Sequence, residues 1–238
     1  MKISKFIALS AIFVAAFSFV SCSSDDDDDD NNNDVVADNH EYVDLGLPSG
    51  TLWATCNVGA SKPEEYGDYF AWGETKTKET FAHENYKWLN GNVYTKYCTH
   101  NEEGKVDNKT ILDSEDDAAT ANWGSKWCMP SVKQVEELFD GENTTQKWTT
   151  LNGVNGLLIT SKKNGNTIFL PATGKCVDGS LEYGDDEGSY WSRSLQMFDN
   201  DTASSFGAVA FFIYPNAHIW GNYIRKDGLT VRPVRSSK

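Results

Sequence analysis

Residues 127–141 read Trp-Cys-Met-Pro-Ser-Val-Lys-Gln-Val-Glu-Glu-Leu-Phe-Asp-Gly and carry the plainest structural signal in the chain. Ser131 is a good helix N-cap, and Gln134 three residues later completes a capping-box pattern. Val132, Val135, Leu138 and Phe139 then fall on one helical face. Gly141 is placed to stop the helix. The spacing predicts a helix over about 131–140 whose apolar stripe packs on a sheet.

Outward from this helix the chain reads as short strands. Tyr42-Val43-Asp44-Leu45 is strand-like, Gly46 to Gly50 has turn chemistry, and Thr51 to Thr55 reads as a second strand. Tyr69 to Glu74 looks like a short aromatic strand. Residues 75–121 are polar, lack a clear period and read as loop-rich. After the helix, Gly156 to Ser161 and Thr167 to Leu170 are strand-like, with Asn164-Gly165 a hairpin signal between them. Ala208 to Tyr214 and Leu229 to Val234 complete the strands. Many short strands, one clear helix and long loops describe an α+β domain over residues 41–235. Eight tryptophans supply large buried areas for such a core.

The amino terminus carries an address. Lys2 and Lys5 precede an apolar run from Phe6 to Val20, followed by Ser21-Cys22. A membrane-spanning helix needs about 20 apolar residues, so the run reads as a signal peptide over residues 1–21. The cysteine at its exit resembles that of a bacterial lipoprotein signal, which implies lipidation of Cys22 by acyl chains such as palmitate. Ser23-Ser24 and six aspartates, Asp25 to Asp30, follow. Such a tract repels itself and buries no apolar surface, so residues 22–40 read as a disordered acidic tether. Ser-Asp-Asp behind the cysteine resembles the surface-export signal of Bacteroidetes lipoproteins. The implied location is the outer membrane, facing the cell exterior.

The whole chain carries 21 basic and 35 acidic side chains, a net charge of −14. Removing residues 1–21 would take Lys2 and Lys5 and leave −16. That sign repels nucleic-acid phosphates and anionic lipid headgroups, so membrane contact is expected through the N-terminal lipid alone. Besides Cys22 there are Cys56, Cys98, Cys128 and Cys176. An exported chain meets an oxidising compartment. Four cysteines allow three pairings among which sequence does not choose, and buried thiols are the alternative. No C-x-x-C pair points to zinc or redox chemistry.

The segments YVDLGLPSGTLWATCNVGA (42–60), YGDYFAWGET (66–75), DDAATANWGSKWCMPS (116–131), GNTIFLPATG (165–174), GSYWSRSL (188–195) and DGLTVRPV (227–234) resemble, in order, the Fibrobacter succinogenes major paralogous domain family. The resemblance spans about Tyr42 to Val234. It implies a C-type-lectin-like fold and, by analogy, extracellular ligand binding. Cys128 stands where the family usually has arginine. The copper-holding pair of late cysteines found in the formylglycine-generating branch has no counterpart downstream of Cys176.

Searching for chemistry yields little that is catalytic. His40, His83, His100 and His218 lack metal-helix spacing and read as surface residues. Nucleophile-elbow, phosphate-loop and dinucleotide fingerprints do not occur. Glu115-Asp116-Asp117 and Asp185-Asp186-Glu187 read as solvated loop faces. They would serve glycoside hydrolysis only if two carboxylates met in space. The lectin calcium triplets do not occur, and Tyr214-Pro215-Asn216 lacks the acidic ligand calcium prefers. No metal or cofactor is expected.

What remains is an aromatic and polar carboxy-terminal region suited to recognition. Its binding candidates are Arg193, Asn200, Asn216, His218, Trp220, Asn222 and Tyr223, while Tyr190 and Trp191 read more readily as core. Asp201-Thr202-Ala203 resembles a Bacteroidetes O-glycosylation acceptor, which makes Thr202 a glycan candidate. The leading expectation is a surface lipoprotein that binds an extracellular glycan or protein ligand. The alternatives are a structural envelope component and, behind it, a glycan-active enzyme.

Overall fold

The computed structural model describes residues 40–195 and 205–236. Among them the strands run β1 (Tyr42–Asp44), β2 (Thr51–Ala54), β3 (Leu89–Asn90), β4 (Val93–Tyr94), β5 (Thr144–Leu151), β6 (Val154–Ser161) and β7 (Thr167–Pro171). They continue as β8 (Lys175–Val177), β9 (Ser180–Glu182), β10 (Gly188–Trp191), β11 (Gly207–Tyr214), β12 (Ala217–Ile224) and β13 (Val234–Ser236). Two α-helices, α1 (Ala118–Trp123) and α2 (Val132–Phe139), lie between β4 and β5.

The strands form small antiparallel sheets: β1-β2-β13, β5-β6-β7, β10-β11-β12, and the hairpins β3-β4 and β8-β9. The first of these ties the two ends of the domain together, with Val234 opposite Trp53. The architecture is α+β and rich in sheet, as the sequence pattern leads one to expect.

Helix α2 forms as its capping box requires. The Ser131 side-chain oxygen accepts from the Gln134 backbone N–H at 3.3 Å, and Gln134 accepts from the Ser131 N–H at 2.9 Å. Val132, Val135, Leu138 and Phe139 are buried. Val135, Leu138 and Phe139 share a core with Leu45, Trp53, Ile159, Leu170, Tyr190, Phe211 and Ile213. The helix does not end on a left-handed glycine at 141. It ends on Asp140 in an extended conformation. The last carbonyls are satisfied instead by Asn143, which donates to the Glu137 oxygen at 3.0 Å, and Thr144, which donates to the Leu138 oxygen at 2.6 Å.

A second core gathers Trp72, Tyr97, Trp127, Met129, Trp191 and Ala210. Two arginines are fully buried, at 0 % exposure. Arg225 donates to the Tyr86 hydroxyl (3.0 Å) and to the carbonyls of Tyr97 (3.0 Å), Ser205 (3.0 Å) and Lys96 (3.2 Å). Its guanidinium lies over the rings of Tyr94 and Trp72, at 4.5 and 4.9 Å from their centroids. It therefore stitches the loop region to the end of β12. Arg232 donates to Asn57 (2.7 Å) and to the carbonyls of Ala54 (3.2 Å) and Thr55 (3.0 Å), clamping β2 from behind. Burying a charge this way is tolerable because most of the donors find acceptors; the Arg232 Nη2 is the buried exception.

Several expected elements differ. Tyr69 to Glu74 is not a strand: Phe70 makes one bridge to Leu229, and Trp72 donates to the Arg225 carbonyl. Leu229 to Val234 breaks into single bridges, because Pro233 has no N–H to extend a ladder. The 75–121 loop region holds the β3-β4 hairpin and the start of α1, whose N-cap is Asp117. β12 occupies a stretch read as irregular surface. All four described cysteines are free thiols; Cys98 is buried, and Cys56, Cys128 and Cys176 are partly buried. No helix among the described residues is long and apolar enough to cross a membrane.

Candidate functional site

The β11-β12 hairpin turns on Pro215-Asn216, and its strict pairing places alternate residues on opposite faces. This splits the candidate residues. His218 and Trp220 are half-buried against helix α2. The His218 and Phe139 rings stack with centroids 4.4 Å apart, and Trp220 lies nearly parallel to both. Burial pulls the His218 imidazole below its ordinary range. Asn222 shares their side of the strand and is exposed, as is Asn216 at the turn.

Tyr223 lies on the opposite face with Ile219, Phe212 and Tyr214. There the β8-β9 hairpin closes over the sheet. The Lys175 ammonium sits among three rings, 4.7 Å from the centroid of Tyr183, 5.2 Å from Tyr223 and 5.6 Å from Phe212. Glu187 lies 3.0 Å from that ammonium, and its carboxylate accepts from Ser189 at 2.6 Å. Burial, the Glu187 charge and a hydrogen bond to it push the Tyr214 hydroxyl up to about 12. Burial, then the Asp227 charge and hydrogen bond, push Tyr223 above its ordinary value. Asp227 is itself paired with Lys226 at 2.8 Å. Around this charged floor, Tyr183 is 58 % exposed, Ile219 54 % and Leu181 53 %.

Such a face can stack flat rings on a ligand, and the Tyr214 and Tyr223 hydroxyls, whose protons are given to Glu187 and Asp227, are oriented to accept hydrogen bonds from it. Glu187 and Asp227 are each held by a lysine.

Arg193 stands apart from this face. Its backbone N–H donates to the Pro130 carbonyl at 2.8 Å, and its carbonyl accepts from Leu112 at 3.0 Å. Its guanidinium lies 3.8 Å from the Cys128 sulfur, with a buried Nε that finds no acceptor. Burial raises the Cys128 thiol, opposed by the Arg193 charge. An arginine from β10's exit thus occupies the surroundings of the cysteine that stands where the resembled family has its own arginine. Trp191 and Tyr190 are core residues, fully buried. Cys22, tether residues 23–39, Asn200 and Thr202 lie outside the described residues; His40, read as the end of the tether, instead stacks on Trp123 with ring centroids 3.7 Å apart.

The acidic clusters are solvated only in part: Glu115, Asp185 and Asp186 are exposed, while Asp116, Asp117 and Glu187 are buried. Asp116 is 2 % exposed and lies 2.9 Å from Lys87 and 2.6 Å from Lys96. Burial raises its carboxyl, but hydrogen bonds from Lys96, Tyr97 and Lys87 outweigh this and hold it below the ordinary range. Asp117 caps α1 through Thr120 and accepts from the Met129 N–H at 2.9 Å; burial raises it. Glu187 is the anchor of Lys175. They are buried because each charge meets a cation or several backbone donors. Asp113, Glu115 and Asp116 bring ligand oxygens within 4.8 Å of one another. The Lys96 ammonium, 2.6 Å from both Asp113 and Asp116, already occupies the position a dication would need.

Lys175 and Tyr183 were not singled out from the sequence, and Glu187 was noted only as part of an acidic run. The available signal was Asp178-Gly179, a hairpin dipeptide that adopts positive φ at both positions. It would have brought β8 and β9 together. No family model, curated protein or solved structure matches the chain.

Proposed function

We propose that the chain is a surface-exposed lipoprotein that binds an extracellular glycan or protein ligand. Lipid on Cys22 would tether it to the outer membrane, with residues 22–39 as a solvated spacer. Residues 41–235 would form a C-type-lectin-like domain of the Fibrobacter succinogenes major paralogous kind. The observation that carries the binding reading is the face built by Tyr183, Tyr214 and Tyr223 around Lys175. Exposed rings and oriented hydroxyls converge there over a charge-compensated floor. Stacking surface beside fixed polar groups is what sugars and peptide side chains require. The ligand is expected to contact Tyr223 and Tyr214 directly, while His218 and Trp220 act as core supports.

Glycan-array and protein-library binding with the purified chain tests this. Any ligand found should lose at least tenfold in affinity in Tyr223→Ala and keep it in Asn216→Ala. Silence on both arrays would overturn the binding reading and leave the structural envelope component. That alternative is favoured by the complete pairing of Lys175 and Glu187, which leaves no unsatisfied charge reaching for a ligand.

A further inference from the structure

β12 is the outer strand of the β10-β11-β12 sheet. Its pairing with β11 uses the backbone groups of Ala217, Ile219, Gly221 and Tyr223, as in any two-residue antiparallel hairpin. The N–H and C=O groups of His218, Trp220 and Asn222 therefore point to the free edge. They make no hydrogen bond among the described residues. The opposite edge of the same sheet is covered: Trp191 donates to the Thr230 carbonyl at 3.0 Å, and Thr230 donates to Ser189 at 3.1 Å. The β13 edge is likewise closed by reciprocal bonds between Cys128 and Val234.

Exposed edges are ordinarily blunted by charge, proline, a bulge or a short strand. β12 has none of these. Its eight residues, Ala-His-Ile-Trp-Gly-Asn-Tyr-Ile, contain no Lys, Arg, Asp, Glu or Pro, in a chain of net charge −14. Ile219 and Ile224 stand more than half exposed on it. We propose that the β12 edge pairs antiparallel with β12 of a second copy of this chain, about a two-fold axis through Gly221.

The register follows from which groups point outward. With Gly221 facing Gly221, Trp220 meets Asn222 of the second copy, and both present free backbone groups. Ile219 meets Tyr223 of the second copy, an aliphatic–aromatic cross-strand pair of the stabilising kind. No like charges are opposed. Gly221 is also the one position where nothing lies within 4 Å of an added Cβ along this strand's glycines, so the axis is sterically open. A second copy fits better than a basic partner, because the edge itself offers no charge to attract one. The joined sheet would place two Tyr223 faces side by side and give bivalency to whatever that face binds. Both copies being acidic, the association should strengthen as salt screens them.

The test is cysteine crosslinking of the full chain carrying Gly221→Cys, against the parent and against Thr150→Cys on the exposed β5. Facing residues at such a non-hydrogen-bonded position lie about 4.5 Å apart, within disulfide reach. We expect Gly221→Cys to form a covalent dimer at least tenfold faster than Thr150→Cys, faster still at raised salt. Gly221→Lys, which opposes two ammonium groups on the axis, should abolish concentration-dependent dimer in sedimentation velocity while circular dichroism stays native. Hydrogen exchange adds a second arm: the amides of His218, Trp220 and Asn222 should exchange freely when dilute and gain protection with concentration. Equal crosslinking at both positions overturns the proposal. So does protection already present at dilution, which would mean the edge is covered within one chain. Association that weakens with salt also overturns it, in favour of a basic partner.

Discussion

The two faces of the β11-β12 hairpin use aromatic side chains in opposite ways. On one, His218 and Trp220 lie flat against Phe139 of α2, with no charged group in the stack. On the other, Tyr223, Phe212 and Tyr183 ring an ammonium whose counter-ion, Glu187, is buried beneath. Both faces come from one strand pair, so neighbours in sequence serve different ends. Aromatic richness alone does not identify a recognition surface. The polar partners under the rings, and the period of two that sorts them, do.

The sharpest way to break the packed face is Phe139→Ala. Phe139 is buried against Phe211, His218 and Trp220. Truncating a buried phenylalanine costs about 3–5 kcal/mol. Chemical denaturation should show that loss, and Trp220 fluorescence should shift toward that of a solvated indole. A loss below about 1 kcal/mol would mean that α2 does not hold this face.

The next largest effect belongs to the charged face. Removing one partner of a buried ion pair leaves the other uncompensated and costs about 3 kcal/mol or more, whereas replacing both with apolar groups is often close to neutral. Glu187→Leu should therefore destabilise strongly, and adding Lys175→Met should recover most of the loss. A double-mutant cycle by urea denaturation reads the coupling. Additive losses would show that Lys175 is held by the rings rather than by the carboxylate. Smaller again is Tyr223→Phe, which removes the hydrogen bond toward Asp227 but keeps the ring. It should cost about 1 kcal/mol while leaving the far-UV spectrum unchanged.

How much of this was legible beforehand depended on whether the deciding contact was local. The α2 capping box lies within four residues, and it formed as read. Gly156 to Leu170 formed a hairpin where Asn164-Gly165 signalled one, with Gly165 at a φ of +79°. β12 was missed because Pro215, Asn216, Gly221 and Asn222 punctuate it like a loop. Its strand identity comes from the eight-residue register with β11, a contact composition does not reveal. The buried half of the acidic clusters was misread for the same reason, while Glu115, Asp185 and Asp186 are exposed as read. Asp116 is buried by Lys87 and Lys96, and Glu187 by Lys175, partners 12 to 29 residues away in sequence. Of the candidate residues, Tyr223 reached the charged face, but the lysine that organises it carries no motif. Arg193 was drawn into the wrong neighbourhood by its nearness in sequence to Tyr190 and Trp191.

The smallest effect sharpens the comparison most, because it titrates one face alone. Burial lowers the His218 pKa in the folded chain. The unfolded chain, with an ordinary imidazole, binds its proton first as the pH falls. The stability contributed by neutral His218 is therefore present above about pH 6.5 and is lost as pH falls through the folded value. His218→Phe keeps a ring against Phe139 and cannot take up that proton, so its stability should fall less steeply between neutral pH and pH 5. Denaturation midpoints at pH 7.5 and 5.0 for the parent and this variant measure the difference. The Tyr214 and Tyr223 hydroxyls should not respond over that interval, since burial and neighbouring carboxylates push both further above it. An equal pH response in parent and variant would remove His218 from the stack as a buried group, and with it the distinction drawn between the two faces.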